Sequence, residues 1–302
     1  MPAIKADAAM IIDTFPFFNE LELLEVRLQE LDSVVDRFVL AEAPRTHSNR
    51  PKPLHFAENR HRFERFLPRI THIVVDDLPD SSNAWVLEGE QRRAVDRGLH
   101  GCQPDDIIRH SDLDEIPSAR AVAELAASMR AGYRATAWNR GWHGLLRRPK
   151  VVRLLRNLFK RRHPFVWLFE QRQYYYFLNC ASVNEPIWHG TRATFFRDYT
   201  SAFDLRRWAG RRVPNAGWHF SYMGGVERVR RKLEAFAHQE FNRPEFTNPQ
   251  HVAAALAEGR WVLGDNHILD FVAIDGSFPK SIRDNLGQFS EWVRKRGPDL
   301  EA

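Results

Sequence analysis

Three acidic residues within residues 110–117, His-Ser-Asp-Leu-Asp-Glu-Ile-Pro, have the types and spacing that suit a divalent cation. Asp112 and Asp114 are one residue apart, so on an extended segment both carboxylates point to the same side of the chain. Such hard oxygen ligands favour Mg²⁺ or Mn²⁺, which leave coordination sites open for diphosphate oxygens. Glu115 alternates to the other face and is a candidate for holding the loop or a substrate hydroxyl. A solvated turn with helix-capping acids is the alternative interpretation.

The segments that precede the acidic stretch predict strands and helices in alternation. Apolar, β-branched runs predict strands at residues 10–13, 34–41, 70–75 and 105–109. Helical spacing predicts helices at residues 20–31, 61–66 and 84–99. Asn19 is the predicted N-cap of the first helix, with Glu22 completing a capping box. Thr14 to Phe18 is expected to form a turn.

This alternation predicts an α/β fold with a mostly parallel central sheet flanked by helices. Ligands of such sheets bind beyond the carboxyl ends of the strands. Four acidic residues are therefore expected along one rim of the sheet, namely Asp13, Glu42, Asp76 and Asp112, and Glu42 is thereby a candidate for binding a ligand of the sheet, such as a nucleotide-sugar donor. Because the acidic stretch ends a strand of this unit, its location favours metal binding more than the residue spacing alone does, and a solvated turn stays the alternative.

The second half of the chain has a less regular pattern. Helices are predicted at residues 119–130, 227–240 and 248–259, and a strand at 133–138. The glycine-rich segment 217–225 is expected to be a loop. With no internal repeat and no low-complexity linker, residues 1–302 are predicted to form one continuous domain.

The composition excludes several classes of protein. A chain of 302 residues with 43% apolar content supports a sizeable globular core. Cys102 and Cys180 are far apart in sequence, which indicates neither a disulfide framework nor a zinc knuckle and favours a reducing compartment. The sequence shows no signal peptide and no apolar run long enough to span a membrane, so a cytoplasmic location is expected.

A basic segment at residues 145–172 interrupts the second half. Residues 151–159 place apolar side chains on one helical arc and Lys and Arg side chains on the other. Such a helix can lie on an anionic membrane surface, with Phe165, Val166, Trp167 and Phe169 as interfacial anchors. An ordinary surface helix packed on the sheet is the alternative. The segment carries no nucleic-acid-binding motif, so a nucleic-acid partner is not expected.

Five motifs, ordered along residues 11–290, resemble glycosyltransferase family 17. They are Ile-Asp-Thr-Phe-Pro-Phe-Phe-Asn-Glu at 12–20, Pro-Lys-Pro-Leu at 51–54, Glu-x-x-Gln-Arg at 88–92, Ser-Asp-Leu-Asp-Glu-Ile-Pro at 111–117 and Gly-Trp-His-Phe-Ser-Tyr-Met-Gly-Gly at 217–225. Each motif is weak alone, but as a set they are specific.

The resemblance implies a GT-A-like fold, a nucleotide-sugar donor such as UDP-N-acetylglucosamine, Mn²⁺ or Mg²⁺, and inversion at the anomeric carbon to form a β-linkage. It also implies a nucleotide-sugar-binding half at residues 10–120 and an acceptor half at 121–290. Animal members carry an N-terminal membrane anchor that this sequence lacks, which suggests a bacterial-type cytoplasmic enzyme. The acceptor is then a glycan or a lipid-linked sugar, and the basic segment would bring the enzyme to the inner membrane surface.

The resemblance assigns donor binding to several positions. Asp13, Phe15, Phe17 and Asn19 follow or end the first strand, where the donor base and ribose are held, although Asn19 also fits a simple helix cap. Gln91 and Arg92 lie on the helix before the metal-binding strand, where Arg92 would pair with a phosphate or form a structural salt bridge.

An inverting transfer also needs a general base for the acceptor hydroxyl. Glu185, in a loop before Pro186, is the first candidate, and Glu115 and Asp204 are the others. Within the glycine-rich segment, His219 is a candidate ligand of the metal or the diphosphate, or a core histidine. Trp218 and Tyr222 would stack on a sugar or pack in the core.

Two other functions use similar residues. A metal-dependent phosphoester hydrolase also clusters carboxylates around a divalent ion. It would usually need histidine ligands at defined spacing, and His47, His55 and His72 show none. A non-catalytic carbohydrate-binding protein would explain the aromatic residues but not paired aspartates at a strand end.

Overall fold

The computed structural model describes residues 9–132, 162–264 and 267–294. These residues form two β-sheets with helices packed on them. The strands are β1 Ile11–Phe17, β2 Arg37–Glu42, β3 Ile70–Val74, β4 Ile107–His110, β5 Glu115–Pro117, β6 Arg162–Phe169, β7 Gln171–Tyr175, β8 Cys180–Ser182, β9 Ile187–Trp188, β10 Arg192–Phe195, β11 Ala209–Val213, β12 Gly217–Ser221 and β13 Leu269–Phe271. The α-helices are α1 Leu21–Leu31, α2 His55–Asn59, α3 Ala84–Ala94, α4 Ala119–Gly132, α5 Ala202–Arg207, α6 Gly225–Ala235, α7 Pro244–Thr247, α8 Pro249–Glu258 and α9 Lys280–Asp284.

The first sheet has the strand order β11-β6-β10-β4-β1-β2-β3. Strands β4, β1, β2 and β3 are parallel to one another, whereas β10 is antiparallel to both β4 and β6. The order 3-2-1-4 of the parallel strands is that of a Rossmann-like mononucleotide-binding half. The predicted α/β class, with a mostly parallel central sheet flanked by helices, is confirmed.

The second sheet has the order β13-β8-β7-β12-β5, and β9 pairs with β7 beside it. Strand β5 begins directly after the acidic stretch and is antiparallel to β12, with Glu115 opposite His219. The acidic stretch therefore leaves the first sheet at the end of β4 and enters the second sheet at β5. Any site built on Asp112 and Asp114 lies at the junction of the two sheets.

Helix α1 packs between the two sheets. Leu24, Leu28 and Leu31 belong to the core of the first sheet, whereas Leu23 and Val26 belong to the core of the second. Because apolar residues cover two faces of this helix, it has little polar surface left. Arg27 lies between these faces and is fully buried.

Several predicted boundaries were wrong. Strand β1 continues through Phe17, because residues 14–17 pair with β2, so the predicted turn at Thr14 is absent. Helix α1 is preceded by Glu20 as its N-cap, without a side-chain capping bond, and Asn19 does not cap it. The helix predicted at 84–99 changes to a 3₁₀-helix at Val95.

The glycine-rich segment is only partly a loop. Its first half is strand β12, and left-handed backbone angles at Tyr222, Gly224 and Gly225 then turn the chain into α6. Val166 and Phe169, predicted to be membrane anchors, are buried in β6 of the first sheet, so that prediction was wrong. The amphipathic helix at 151–159 and the strand at 133–138 lie outside the described residues.

Within the three described ranges, no helix is both long and apolar enough to cross a membrane.

Candidate functional site

A cleft of about 860 Å³ opens where the two sheets meet. Its wall includes the end of β1, helix α3, the acidic stretch, helices α5 and α6, and residues of the second sheet. Among the described residues, six basic side chains and four acidic side chains line it. The surplus of positive charge suits an anionic ligand such as a diphosphate.

The acidic stretch is a tight turn rather than an extended segment. Leu113 and Asp114 form the turn, and the Glu115 backbone N–H donates to the Asp112 carbonyl at 3.2 Å. The expectation that Asp112 and Asp114 share one side of an extended chain was therefore wrong in its geometry. Both aspartates nevertheless line the cleft.

Arg27 fixes the shape of this turn from inside the protein. Its Nη1 donates to the carbonyl oxygens of Asp112, Leu113 and Glu115, at 3.0, 3.1 and 2.9 Å. Its Nη2 donates to Ser111 Oγ at 2.6 Å. One guanidinium thus supplies a donor to the Leu113 carbonyl and a second donor to the Asp112 and Glu115 carbonyls, which also accept from the Glu115 N–H and the Ser111 hydroxyl.

Asp13 holds Arg27 in place. The Asp13 carboxylate accepts from Arg27 Nε and Nη2, both at 2.8 Å, and also pairs with Arg109. Burial opposes ionisation of Asp13, but Arg109 and Arg27 keep the pKa of its carboxyl below the usual value. Asp13 lies within β1, opposite Phe38 and Arg109, not at the rim of the sheet and not in the cleft.

Asp112 is held between two arginines. Its Oδ1 accepts from Arg92 Nη1 at 2.7 Å, and its Oδ2 accepts from Arg206 Nη2 at 2.9 Å. Although burial opposes it, Arg206 and Arg92 hold the pKa of Asp112 far below its ordinary range. Both carboxylate oxygens therefore accept from permanent cations. Asp112 influences a ligand of the cleft indirectly, by fixing the positions of these two guanidinium groups.

Asp114 has one oxygen paired and one open. Lys232 Nζ donates to Oδ2 at 2.7 Å, whereas Oδ1 lies 3.7 Å from His219 Nε2. Burial opposes ionisation, but Lys232 and then His219 keep the pKa of Asp114 well below its usual range. The residue is a carboxylate at neutral pH.

Asp114 Oδ1 and His219 Nε2 fit a divalent cation as a pair of ligands. Two atoms that each lie about 2.1 Å from one ion are at most about 4.2 Å apart, and the observed separation is 3.7 Å. No group of three or more His, Cys, Asp or Glu side chains suited to a metal occurs in the described parts of the chain. A cation here would take its other ligands from substrate oxygens and water, as Mg²⁺ commonly does.

Stacking on Trp188 sets the orientation of His219. The two rings are 4.7 Å apart at an angle of 20°, and both line the cleft. His219 Nδ1 is buried and has no hydrogen-bond partner among the described residues. Ring packing, rather than a hydrogen bond at Nδ1, therefore directs Nε2 toward Asp114.

Glu115 is buried and holds the turn together. Its carboxylate accepts from Arg206 at 2.8 and 2.5 Å, from Trp188 Nε1 at 2.5 Å and from the Asp112 backbone N–H at 3.0 Å. Gly190 packs directly against it, since a Cβ there would lie 1.9 Å from Glu115 Oε1. With four donors and no face on the cleft, Glu115 is placed to hold the loop rather than to take a proton.

His110 links α3 to the strand that carries the acidic stretch. Its Nε2 lies 3.2 Å from Arg92 Nη1, and its Nδ1 lies 2.9 Å from Thr14 Oγ1. Burial, and after it Arg92, lower the pKa of His110 well below its usual value, so the ring is neutral. Since Arg92 can only donate, Nε2 accepts and Nδ1 carries the proton.

Four of the predicted donor-binding residues line the cleft: Phe17, Gln91, Arg92 and Tyr222. Gln91 Nε2 donates to the Phe17 and Ala41 carbonyls, each at 3.2 Å, and its Oε1 lies 2.8 Å from His47 Nε2. The ends of β1 and β2 are thereby tied to α3. Burial, more than any neighbouring charge, raises the pKa of Tyr222 to about 12, so its phenol is neutral.

Other predicted donor-binding residues lie outside the cleft. Phe15 is in the core, with the Arg27 guanidinium 4.4 Å from the centre of its ring. Glu42 accepts from the backbone N–H groups of residues 56 and 57 at the start of α2. Trp218 packs in the core of the second sheet and donates to the Ser277 carbonyl at 3.0 Å. Asn19 borders a small neighbouring cavity instead.

The candidate bases Glu185 and Asp204 do not line the cleft. Asp204 accepts from the Ser201 hydroxyl at the start of α5, at 3.1 Å. Glu185 is exposed, and its Oε2 lies 3.9 Å from Nε2 of His267, a histidine that does line the cleft.

Sequence reasoning missed Arg27, Trp188, Arg206 and Lys232. Arg27 could have been noticed, because it interrupts the apolar stripe of α1. Arg206 and Lys232 occur among several basic residues on α5 and α6, and only the tertiary structure selects them. Trp188 follows Pro186 in a short strand and carries no local signal of its role.

The fold and the cleft define an α/β protein whose Rossmann-like half carries an acidic turn beside a cleft lined by more basic than acidic side chains. Residues 3–131 match the family model of glycosyltransferase family 17. The resemblance predicted from the motifs is thereby confirmed over the segment that contains β1 to β5 and the acidic turn.

Curated relatives match part of the chain. The β-1,4-mannosyl-glycoprotein 4-β-N-acetylglucosaminyltransferases of Rattus norvegicus and Homo sapiens are each 30% identical to it over 123 residues, which is 38% of this chain and 23% of theirs. The Mus musculus protein of the same name is 29% identical over 123 residues. The match thus spans only about a quarter of the length of these relatives. Among solved structures, S. aureus TarS 1-349 aligns with a TM-score of 0.34 and 11% identity, covering 83% of this chain and 71% of that one.

Proposed function

We propose that this protein is a glycosyltransferase that moves a sugar from a nucleotide donor to a glycan or lipid-linked sugar. The observation that carries the proposal is the acidic turn, which lies inside the segment that matches family 17 and borders the cationic cleft. The relatives are named as N-acetylglucosaminyltransferases, so the proposed sugar is N-acetylglucosamine, and UDP-N-acetylglucosamine is the donor that we propose for it. The transfer is proposed to invert the anomeric carbon and form a β-linkage.

The donor nucleotide is proposed to lie against the end of β1, where Phe17 and Gln91 line the cleft. Its diphosphate would then reach Arg92, Arg206 and Lys232. These cations are already held by Asp112 and Asp114, so they need little reorganisation when the diphosphate gains charge. Such preorganised cations stabilise the leaving group as its bond to the sugar breaks.

Asp114 and His219 are proposed to bind Mn²⁺ or Mg²⁺ together with the donor diphosphate. When bound, the ion supplies charge neutralisation of the departing nucleoside diphosphate. Asp112 orients Arg92 and Arg206 instead of binding the ion, because both of its oxygens accept from them.

A direct test compares Asp114→Asn, Asp112→Asn and the surface variant Asp77→Ala, whose side chain pairs with Arg97 on the outside of the protein. UDP binding with and without Mn²⁺ is measured by calorimetry, and UDP release from UDP-N-acetylglucosamine by a coupled assay. We expect Asp114→Asn to lose the Mn²⁺-dependent part of UDP binding. Asp112→Asn should keep it but lose turnover, and Asp77→Ala should match the wild type.

Three outcomes would contradict parts of the proposal. If Mn²⁺ does not change UDP binding by the wild type, the proposed role of the cation in donor binding is wrong. If Asp112→Asn and Asp114→Asn both keep wild-type turnover, the roles assigned to these two aspartates are wrong. If the protein binds no nucleoside diphosphate, the proposed nucleotide-sugar donor is wrong. If it binds sugars but no nucleoside diphosphate, a carbohydrate-binding protein is supported instead.

The phosphoester hydrolase gains no support from the described residues, because a three-ligand metal cluster is absent from them. The cytoplasmic location and the membrane contact through residues 145–172 stay predictions. Vesicle flotation with and without anionic lipid tests the contact.

A further inference from the structure

An exposed aromatic patch forms part of the cleft wall. Trp85, on the first turn of α3, lines the cleft although half of its surface is exposed to solvent. Its indole packs against the His238 ring, with the ring centres 4.6 Å apart at an angle of 82°. His238 in turn contacts Phe236 and Phe241, at 5.5 and 6.1 Å, and all of these residues line the cleft. An indole that is packed on a neighbour and still open to a cleft suits the apolar face of a sugar ring.

Helix α3 sets the distance of Trp85 from the proposed donor position. Trp85 and Arg92 are two helical turns apart, so they lie on the same face of α3, about 10 Å from each other along its axis. Gln91, beside which the donor nucleotide is proposed to lie, is at the same end of the helix as Arg92. The indole is therefore well separated from the donor nucleotide and is left for the acceptor.

A second aromatic residue reaches this wall from α5. Phe203 lines the cleft and packs against α3 at Gly89, where an added Cβ would lie 3.2 Å from Phe203 Cε2. Gly89 is one turn from Trp85 on the same face of α3. Because Gly89 has no side chain, Phe203 lies directly on the helix face that carries Trp85.

Phe203 also packs against two arginines, of which one keeps an unpaired charge. The guanidinium carbon of Arg93 lies 4.0 Å from the centre of the Phe203 ring, and Arg93 pairs with Glu90 at 2.7 Å. The guanidinium carbon of Arg207 lies 5.1 Å from the same ring centre. Arg207 is exposed, lines the cleft and forms no ion pair within the described parts of the chain. Its charge is therefore available to a ligand.

The two consecutive arginines of α5 face different surroundings. Side chains of neighbouring helical residues point about 100° apart. Arg206 is 17% exposed and pairs with Asp112 and Glu115, next to the proposed diphosphate position. Arg207 is turned away from these carboxylates. An anion bound by Arg207 would thus lie beside the donor diphosphate and not in its place.

We propose that the acceptor is a sugar that carries a phosphate or a carboxylate, that Trp85 stacks on its ring, and that Arg207 binds its anionic group. The proposal rests on the proposed glycosyltransferase function and names the acceptor class for it. Phe203 is a positioning residue, since it acts by holding Arg207. A lipid-linked sugar phosphate and an acidic sugar both supply the required charge, whereas a glycan of neutral sugars does not.

The test measures acceptor binding separately from donor binding. The full chain is first saturated with UDP and Mn²⁺, which occupy the proposed donor position. It is then titrated, with NMR detection of the ligand, with the methyl glycosides and 1-phosphates of glucose and mannose, with glucuronic acid and with inorganic phosphate. The wild type should bind a 1-phosphate or glucuronic acid about tenfold more tightly than the methyl glycosides. Preference for the 1-phosphates indicates a phosphate-linked acceptor, and preference for glucuronic acid indicates an acidic sugar.

Variants separate the two contacts. Trp85→Ala should weaken the binding of every sugar roughly fivefold and leave the binding of inorganic phosphate unchanged. Arg207→Gln should abolish the preference for charged sugars. Phe203→Leu should reduce that preference, and Phe203→Tyr should keep it, because a tyrosine ring still attracts a guanidinium. The matched control is Arg211→Gln, since Arg211 is also exposed, lies 5.9 Å from the Trp167 ring and is not part of the cleft wall. It should bind every probe as the wild type does.

Several results would overturn the proposal. If the wild type binds charged and neutral sugars equally, or if Arg207→Gln keeps the preference, the anionic acceptor is wrong. If Trp85→Ala binds the sugars as the wild type does, the stacking role is wrong. A UDP Kd at least about tenfold weaker in Trp85→Ala would assign the indole to the nucleotide base instead. If the wild type binds no UDP, the glycosyltransferase function fails, and the same sugar titrations without UDP still decide whether the sugar site exists.

Discussion

Removal of Arg206 should reveal how much the acidic turn depends on one guanidinium. Arg206 donates to both oxygens of the fully buried Glu115 and to Asp112 Oδ2. Arg206→Met keeps much of the apolar stem but leaves the Glu115 carboxyl buried and without a cation. Only the Trp188 indole and a backbone N–H would still donate to it.

The expected loss follows from the burial of the pair. Glu115 has a side-chain exposure of 0% and Arg206 of 17%. Breaking a buried ion pair by removing one partner costs about 3–5 kcal/mol. Because Arg206 retains some exposure, the lower end is expected, near about 3 kcal/mol. For a chain of 302 residues, with an entropy of unfolding of about 2.1 cal/mol/K per residue, that loss corresponds to a fall in Tm of roughly 5 °C.

A double-mutant cycle separates the pair from the rest of the structure. Glu115→Gln alone should lower the free energy of unfolding by about 1–3 kcal/mol. The amide NH₂ group of the glutamine donates, so it cannot accept the hydrogen bond that Arg206 or Trp188 offers at that position. The variant with both Arg206→Met and Glu115→Gln should lose less than the sum of the two, by about 0.5–3 kcal/mol. Urea unfolding followed by circular dichroism gives each free energy. Arg212→Met is the matched control, since Arg212 pairs with Glu170 while 71% exposed, and should cost under about 1 kcal/mol.

Additive losses in this cycle would refute the reasoning, because they would mean that Arg206 and Glu115 contribute independently. A stable Glu115→Gln protein without turnover would contradict it in another way. That result would return Glu115 to the role of general base.

Three further predictions concern other positions. Gly190→Ala should destabilise the protein by about 1–3 kcal/mol in urea, because its Cβ would overlap Glu115 Oε1 at 1.9 Å. Burial raises the pKa of Asp96, which accepts from Tyr199, from 3.8 to about 6. The folded protein therefore holds this proton more tightly than the unfolded chain. The free energy of unfolding should fall by up to about 3 kcal/mol as pH rises through about 4 to 6, and Asp96→Asn should lack that fall. Trp85 lines the cleft and is 50% exposed, so Trp85→Ala should raise the KM for a sugar substrate roughly fivefold, about 1 kcal/mol, with unchanged urea unfolding.

The parallel half of the fold was predictable because its signals are local. Each of β1 to β4 is a short apolar run, and the intervening helices keep them parallel. The second sheet was not predictable, because it is built from short strands with distant partners. Strand β12 pairs with β5, about a hundred residues earlier in the chain, and β13 pairs with β8. Such pairings depend on tertiary packing that residue periodicity does not report.

The site was predictable in its residue types but not in its connections. Asp112, Asp114 and His219 line one cleft as the motifs indicated. Asp13 was expected to contact a donor, but it lies one layer deeper and holds Arg27. The predicted strand ended at Asp13, whereas β1 continues to Phe17. An error of a few residues in the end of a strand is enough to place a carboxylate inside the sheet instead of at its edge. That difference moved Asp13 from the rim to the interior.

The geometry of Arg206 leads to a prediction that separates charge from shape. Its Nη2 lies 2.9 Å from Asp112 Oδ2 and 2.5 Å from Glu115 Oε1, while its Nη1 reaches Glu115 Oε2 at 2.8 Å. A lysine ammonium is a compact point charge without the planar fork of a guanidinium, so it cannot bridge the two carboxylates with this geometry. Arg206→Lys should therefore recover part of the stability lost in Arg206→Met, because Glu115 regains a cation.

The same variant should not recover donor affinity. With the ammonium drawn to the buried Glu115, Asp112 keeps only Arg92, and its free oxygen repels an incoming diphosphate. Calorimetry should give a UDP Kd at least about tenfold weaker than that of the wild type, equivalent to about 1.4 kcal/mol. Wild-type UDP affinity in a folded Arg206→Lys protein would show that positive charge alone suffices there, and that the bridging geometry has no part in binding the diphosphate.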